Sequence, residues 1–262
     1  MKWLLWPFRI IYCLYAYALF IALMLLFFPV IFVASFWGRI RGGNFIYLVL
    51  RFWATIWFPA IGIFHKNIYG SQRPNRKQQY IFVANHISYL DAAILIDTFR
   101  QPIRALGKAE MKNIPIFGYI YRISVVIVQR DSAESRARSV RQLKSVLKKG
   151  ISILVFPEGT FNMTNHPLKD LYDGAFKIAI ETQTPILPVV YPDTFSRMHY
   201  RHMFTLTPGL NRAYFLDPIS VEGLGIKDVK MLKNRVQQIM SEKLIEVGAP
   251  WISDPGETNK AL

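Results

Sequence analysis

Cysteine is nearly absent from this sequence. Cys13 alone among 262 residues excludes a disulfide framework and any metal site built on several thiolates. Acidic residues are scarce as well: 17 Asp and Glu stand against 32 Lys and Arg, a net charge of +15. That imbalance argues against a basic partner and for an anionic one, either nucleic acid or an acidic membrane surface. Charge of either sign is missing from residues 10–37. Internal repeats and low-complexity tracts are missing too, which excludes a solenoid or a disordered chain.

The uncharged run is longer than the roughly 20 residues a helix needs to cross hydrocarbon, and longer than the ~7–15-residue core of a secretory signal. It reads as a retained segment. Pro29 leaves two arrangements open, one tilted span or a helix that dips in and bends back. After Arg39, Arg41 and the Gly42-Gly43 pair, a second apolar run covers residues 44–64, broken only by Arg51. Its Tyr47, Trp53 and Trp57 are residue types that favour the lipid–water interface. Residues 1–66 are therefore expected to form a two-helix membrane-associating segment. Lys2, Arg9, Arg39 and Arg41 flank both sides of the first run, so the positive-inside rule sets no orientation. The aromatics gather in this leader rather than among the basic residues, and no nucleic-acid motif is present, so the charge is assigned to a membrane and not to nucleic acid.

Beyond a polar connector at 71–77 the pattern changes to short apolar runs at 80–84, 124–128, 151–156 and 186–190, with a further one at 213–216. They are rich in Ile and Val and nearly continuous, as in strands buried on both faces of a parallel sheet. Between the second and third, Asp131 or Ser132 is a helix cap, Ala137, Val140, Leu143 and Leu147 recur near helical spacing, and Gly150 is a stop. The opposite face of that helix carries Arg136, Arg138, Arg141, Lys144, Lys148 and Lys149, either solvated or against a membrane. A last helix is expected over 227–247. The predicted fold is α/β, a mostly parallel central sheet flanked by helices, with an α/β domain at 67–250 and a tail at 251–262.

Three polar clusters directly follow three of these strands: Asn85-His86, Gln129-Arg130-Asp131 and Pro157-Glu158-Gly159-Thr160. Ligands of open α/β sheets bind at the carboxyl ends of strands, so three separate segments point to one site. His86 and Asp91 are five residues apart and would not share a helix face. They meet if His86 lies in the strand-to-helix turn and Asp91 in the first helical turn. There the Asp can hold one imidazole nitrogen and leave the other as a base. A buried structural histidine is the equal alternative on spacing alone.

Asn85-His86-x4-Asp91 resembles the first signature of the 1-acylglycerol-3-phosphate acyltransferase family. Phe156-Pro157-Glu158-Gly159-Thr160 is similar to the third signature, Val126-Ile127-Val128-Gln129-Arg130 to the second and Pro185-Ile186-Leu187-Pro188 to the fourth. Lys108-Ala109-Glu110 matches a Lys-x-Glu element between the first two. The ordered set spans roughly residues 80–190, and the family's N-terminal two-helix motif agrees with the leader.

The resemblance implies acyl transfer from a thioester of coenzyme A or acyl carrier protein to a lysolipid hydroxyl, with 1-acylglycerol-3-phosphate as acceptor and phosphatidate as product. No further cofactor and no metal are implied. His86 would be the general base and Asp91 its orienting carboxylate; Lys108, Arg130, Glu158, Gly159 and Thr160 would bind substrate, with amides near Glu158-Gly159-Thr160 as oxyanion donors. The alternatives are a structural Glu158 that pairs a cation or accepts backbone bonds, and salt-bridge roles for Lys108 and Arg130. The expected location is a membrane, with the catalytic body toward the cytoplasm. Three departures stand out. Phe161 occupies the place of an arginine that helps hold the acceptor phosphate. Asp170, Tyr172 and Asp173 replace the lysine usual before Gly174, and Ser124 replaces a glycine. They bring in a lyso-aminolipid, such as a lyso-ornithine or lyso-glycine lipid, as the alternative acceptor.

Two rival chemistries are weaker. Ser88 lies two residues beyond His86, but a Gly-x-Ser-x-Gly elbow is missing, which argues against a serine hydrolase. His199 and His202 sit beside Arg197 and Arg201 without acidic or cysteine neighbours, the composition of a basic surface loop rather than a metal site. A non-catalytic basic membrane-binding module is the remaining reading.

Overall fold

The computed structural model describes residues 6–128 and 133–252. Helix α1 (Trp6–Ser35) leads through a π-helical turn (Gly38–Gly42) into α2 (Gly43–Ala60). The two helices lie antiparallel: Trp57 Nε1 donates to the Ala16 carbonyl, Phe20 packs on Trp53, Phe27 on Phe52 and Phe45 on Trp37. The turn is this tight because Gly42 lacks a Cβ, which would fall 2.2 Å from the Ala34 carbonyl oxygen. α1 stays helical through Pro29. It is long and apolar enough to cross a membrane, and most of its surface is not covered by protein.

The remaining elements alternate: β1 (Ile63–Tyr69), β2 (Ile81–Ala84), α3 (Asp91–Thr98), β3 (Ile103–Lys108), α4 (Phe117–Ser124), β4 (Val125–Val128), α5 (Ala133–Lys148), β5 (Ser152–Val155), α6 (Gly174–Thr182), β6 (Ile186–Val190), the single turn α7 (Thr194–Arg197), β7 (Gly209–Phe215) and α8 (Val229–Glu246). The seven strands form one sheet in the order β1-β7-β6-β2-β5-β3-β4. The five strands from β6 to β4 are mutually parallel, while β7 turns antiparallel to β6 and carries β1 with it. The α/β architecture with a mostly parallel sheet is thus as the apolar runs indicated.

The near-continuous apolar strands are explained by two cores. Ile81, Val83, Ile153, Val155, Ile186 and Val190 point to the face covered by α5, α6 and α8. Their neighbours Phe82, Ala84, Leu154, Leu187 and Val189 point to the opposite face, against Trp57, Phe58 and Ile61 of the hairpin and Ile94 and Leu95 of α3. Alternate side chains of one strand therefore enter different cores, which is why the central strands are apolar on both faces. The membrane-associating hairpin is also half of the sheet's cover.

Some boundaries differ from those expected. The α/β unit begins at Ile63, inside the segment assigned to the leader, because β1 hydrogen-bonds with β7 over its whole length. Apolar Ile63 and Phe64 had merged with the preceding helix in the sequence pattern. β3 was not anticipated, since Arg104 and Gly107 break its apolar run. Arg104 is nonetheless buried, and its guanidinium donates to the Ile103, Arg39 and Ile40 carbonyls and to Asn44 Oδ1. Burial lowers its pKa to about 10, still far above neutrality. Ser124 closes α4 rather than opening β4. The expected cap at Asp131 or Ser132 lies outside the described residues.

The tail also starts later than 251. Trp251 is only 3% exposed, belongs to the core under α8, and donates from Nε1 to the His166 carbonyl. Trp251→Ala should cost about 3–5 kcal/mol, the usual loss for a large core aromatic. Denaturant unfolding of the two proteins in the same detergent measures it; a change below 1 kcal/mol would return this residue to the tail.

Candidate active site

Parallel strands bring their carboxyl ends to one edge of the sheet, and the polar clusters assemble there. β2 ends at Ala84 and α3 begins at Asp91, so His86 lies in the turn between them and Asp91 at the first helical position. Asp91 is fully buried. Its Oδ2 accepts the Ile87 N–H at 2.8 Å, the Ser88 N–H at 2.9 Å and His86 Nδ1–H at 2.9 Å. An ionised carboxylate can only accept, so Nδ1 carries the proton and Nε2 is left as the basic nitrogen. One oxygen thus shapes the turn and sets the tautomer.

The histidine is held from both neighbouring strands. On the β5 side, its N–H donates to Glu158 Oε1 at 2.8 Å, and its carbonyl accepts the Asn162 N–H at 2.7 Å. On the β6 side, the Asn85 amide bridges the Tyr191 main chain, accepting its N–H at 2.7 Å and donating to its carbonyl at 3.1 Å. The imidazole stacks on Phe156 with ring centroids 4.4 Å apart and meets Phe161 edge-on at 4.5 Å. Tyr89 extends this aromatic wall, 4.7 Å from Phe161. The far end of α3 is fixed as well, where the Thr98 carbonyl accepts from Asn67 Nδ2 and Thr98 Oγ1 lies 3.2 Å from His65 Nε2. Side-chain exposure of His86 is 19%, so the imidazole is not sealed from the surface.

Glu158 has the contacts of the structural alternative. It is 1% exposed, and both its oxygens are occupied by main-chain donors, Oε1 by His86 and Oε2 by Lys169 at 2.9 Å. It positions the turn. Gly159 adopts φ +73°, a left-handed conformation suited to glycine, and its N–H closes the turn on the Phe156 carbonyl instead of pointing outward as an oxyanion donor. Thr160 is exposed, and its Oγ1 accepts from Lys169 Nζ at 2.8 Å.

Lys169 was not anticipated, because it lies nine residues from Thr160 in a segment without periodicity. A lysine anchored through its own main chain to the buried Glu158 supplies a cation next to position 161, where Phe161 has none. Lys108 ends β3 on the same sheet edge, two strands from β2, and is exposed; its carbonyl accepts from the Tyr121 hydroxyl. Arg130 lies outside the described residues. Ser88 is buried, donates to the Met198 carbonyl and accepts the Leu90 N–H, so its hydroxyl is committed to the turn and is no nucleophile. His199 Nδ1 accepts the Arg201 N–H while its ring packs on Phe195.

This arrangement has relatives. Residues 65–192 match the family described as Acyltransferase. That segment, just under half of the chain, is an acyltransferase-family domain. An uncharacterized acyltransferase of Schizosaccharomyces pombe is 31% identical over 173 residues, covering 64% of this chain and 61% of the relative. The 1-acyl-sn-glycerol-3-phosphate acyltransferase of Borreliella burgdorferi is 33% identical over 141 residues, 53% of this chain and 55% of that protein. The chain thus spans somewhat over half the length of these two relatives. The crystal structure of the 1-acyl-sn-glycerophosphate acyltransferase PlsC from Thermotoga maritima superposes with a TM-score of 0.75 at 22% identity, covering 94% of this chain and 98% of that one, which establishes a shared fold.

Burial dominates the titration of Glu158 and raises it from the ordinary 4.5 to about 7, against the lowering effect of the two N–H donors and of Lys169. A folded-state value above the unfolded one means that the folded protein holds this proton more tightly. The resulting stability is fully present below about 4.5 and is lost as pH rises through about 7. Glu158→Gln should remove that component, so the difference in unfolding free energy between wild type and variant should change across pH 4.5–7 and level off above it. Parallel curves across this range would show that Glu158 is ionised throughout.

Proposed function

We propose that this acyltransferase-family chain moves a fatty acyl group from a thioester to the free hydroxyl of 1-acylglycerol-3-phosphate, giving phosphatidate. The observation that carries the reading is the His86–Asp91 pair, with Nδ1 held at 2.9 Å and Nε2 left as base. Nε2 takes the proton of the lysolipid hydroxyl as its oxygen forms a bond to the thioester carbonyl carbon. The tetrahedral adduct then collapses, the carbon–sulfur bond breaks, and the imidazolium returns the proton to the departing thiolate. Asp91 stabilises the transient imidazolium and stays ionised. No acyl-enzyme is required, because the substrate hydroxyl is itself the nucleophile.

The cations support an anionic headgroup. Lys169 over Thr160, with Lys108 on the same edge, suits a phosphate monoester better than a positively charged amine. Phe161 and Tyr89 favour the alternative, since an aromatic wall beside the base suits a lyso-aminolipid with an ammonium group. The thioester donor is an acyl-coenzyme A or an acyl carrier protein.

The apolar hairpin supports work at a membrane surface. α1 is about 45 Å long against about 30 Å of hydrocarbon. It is attached to the body toward both ends: Tyr12 and Tyr17 donate to the Ile61 and Met203 carbonyls, and Ser35 Oγ meets the Tyr119 hydroxyl. A helix fastened in this way favours lying in one leaflet, and we set the catalytic body on the cytoplasmic side, where both kinds of thioester donor are present.

His86→Ala should lower kcat by roughly 10²–10⁴-fold, the usual contribution of general-base catalysis. Ser88→Ala should retain most of kcat; equal losses in the two variants would favour a serine nucleophile. Offered one thioester with a panel of lysolipids, the wild type should prefer lysophosphatidate, and Lys169→Ala should raise the KM for that acceptor about tenfold, as expected for one charge-assisted hydrogen bond. A preference for lyso-aminolipids, with no effect at Lys169, would transfer the reading to the alternative acceptor.

A further inference from the structure

A basic concavity lies along the outer side of β4, the last strand of the sheet. Its volume is about 220 Å³, and Arg39, Lys112, Arg138, Ser139, Gln142 and Ile127 contribute to its walls. The three cations come from unrelated parts of the chain: the π-helical turn of the membrane hairpin, the 3-10 turn after β3, and the second turn of α5. Little neutralises them among the described residues. Arg138 is 3.6 Å from Glu134, but both side chains are more than half exposed, so the pair contributes little. Arg39 donates to the Arg122 carbonyl and has no ion pair among the described residues. Like charges brought together without counter-charge are costly unless an anion joins them.

Position decides which anion. The pocket borders β4, three strand spacings from the β2 end that carries His86, or roughly 14–15 Å. The headgroup of an acceptor is only a few bonds from its reacting hydroxyl and does not span that gap. The pantetheine arm of an acyl thioester does: its sulfur carries the acyl group, and its other end carries a phosphate. Exposed Lys108 lies on the strand between the two places.

We propose that the pocket between Arg39, Lys112 and Arg138 binds the phosphate at the far end of the acyl donor's pantetheine arm. The proposal rests on the thioester-dependent reading above. Coenzyme A and the prosthetic group of acyl carrier protein share this chemistry. The pocket lets the donor be held by a group remote from the reacting carbon, while His86 and Asp91 act on the acceptor.

The test compares wild type with Lys112→Glu and Arg138→Glu, and with the milder Lys112→Gln, as full-length protein in detergent. Donor KM should rise about tenfold or more for the charge reversals, the loss expected when a charge-assisted hydrogen bond to phosphate is removed, and less for the glutamine. Acceptor KM should not follow. The penalty should disappear with an acyl-N-acetylcysteamine thioester, which ends before the phosphate. A rise with acyl-coenzyme A alone assigns the pocket to the nucleotide carrier, and one with acyl carrier protein alone to the protein carrier; either supports the proposal. An unchanged donor KM overturns it, as does an equal penalty with the phosphate-free thioester. Lost binding to phosphatidylglycerol vesicles at constant donor KM also overturns it, in favour of a lipid headgroup. Calorimetric titration with coenzyme A separates this proposal from the proposed reaction. Absence of turnover in wild type would defeat the reaction, whereas weaker coenzyme A binding in Lys112→Glu would still support the pocket.

Discussion

A single buried oxygen, Oδ2 of Asp91, receives two main-chain N–H groups of the preceding turn together with the imidazole N–H of His86. Each hydrogen bond to a charged acceptor contributes about 1.5–3 kcal/mol in such surroundings. An unpaired buried carboxylate would instead cost several kcal/mol. The turn therefore has one satisfactory conformation, and in it the histidine is presented at the end of β2 with its tautomer already chosen. The order of the catalytic elements follows from this: α3 must start at Asp91, because the carboxylate must lie under the N–H groups that it accepts.

Glu158 does the same for the neighbouring strand. Its two oxygens connect His86 and Lys169, residues far apart in sequence, through their main chains. Asn85 ties the turn to β6 in a third way. Glu158 and Asn85 are buried and bond main-chain groups, so rigidity is their contribution, whereas Asp91 holds the imidazole as well as the backbone of the turn. Around this frame stand the Lys169 ammonium, the Thr160 hydroxyl and the aromatic wall of Phe161 and Tyr89. A charge that the loop lacks at position 161 is thereby present beside it, delivered from the next stretch of chain.

The sheet also unites two demands that the sequence shows separately. Its strands are apolar on both faces, and the chain covers one face with helices of the α/β unit and the other with the membrane hairpin and α3. Anchor and catalytic body share a core, so the carboxyl edge of the sheet has a fixed relation to the apolar surface of α1. Under the proposed function, that fixed relation would bring a lipid acceptor and His86 together without a flexible linker.

The sequence by itself determined the local elements and singled out His86 and Asp91 as the candidate pair. Buried parallel strands leave uninterrupted Ile and Val runs, helices leave spaced leucines, and the His86–Asp91 interval fits a strand-to-helix turn. These are contacts over a few residues, which a linear pattern records. Tertiary structure decided what depends on distant neighbours. β1 was hidden in an apolar run because its partner β7 lies some 140 positions later; Arg104 looked unsuited to a strand because the carbonyls it satisfies belong to the hairpin. Glu158 looked like a binding residue until its oxygens were matched to two main-chain donors. Lys169 left no local signal, since its place at the site comes from a hydrogen bond to Glu158 and not from any periodicity of its own segment.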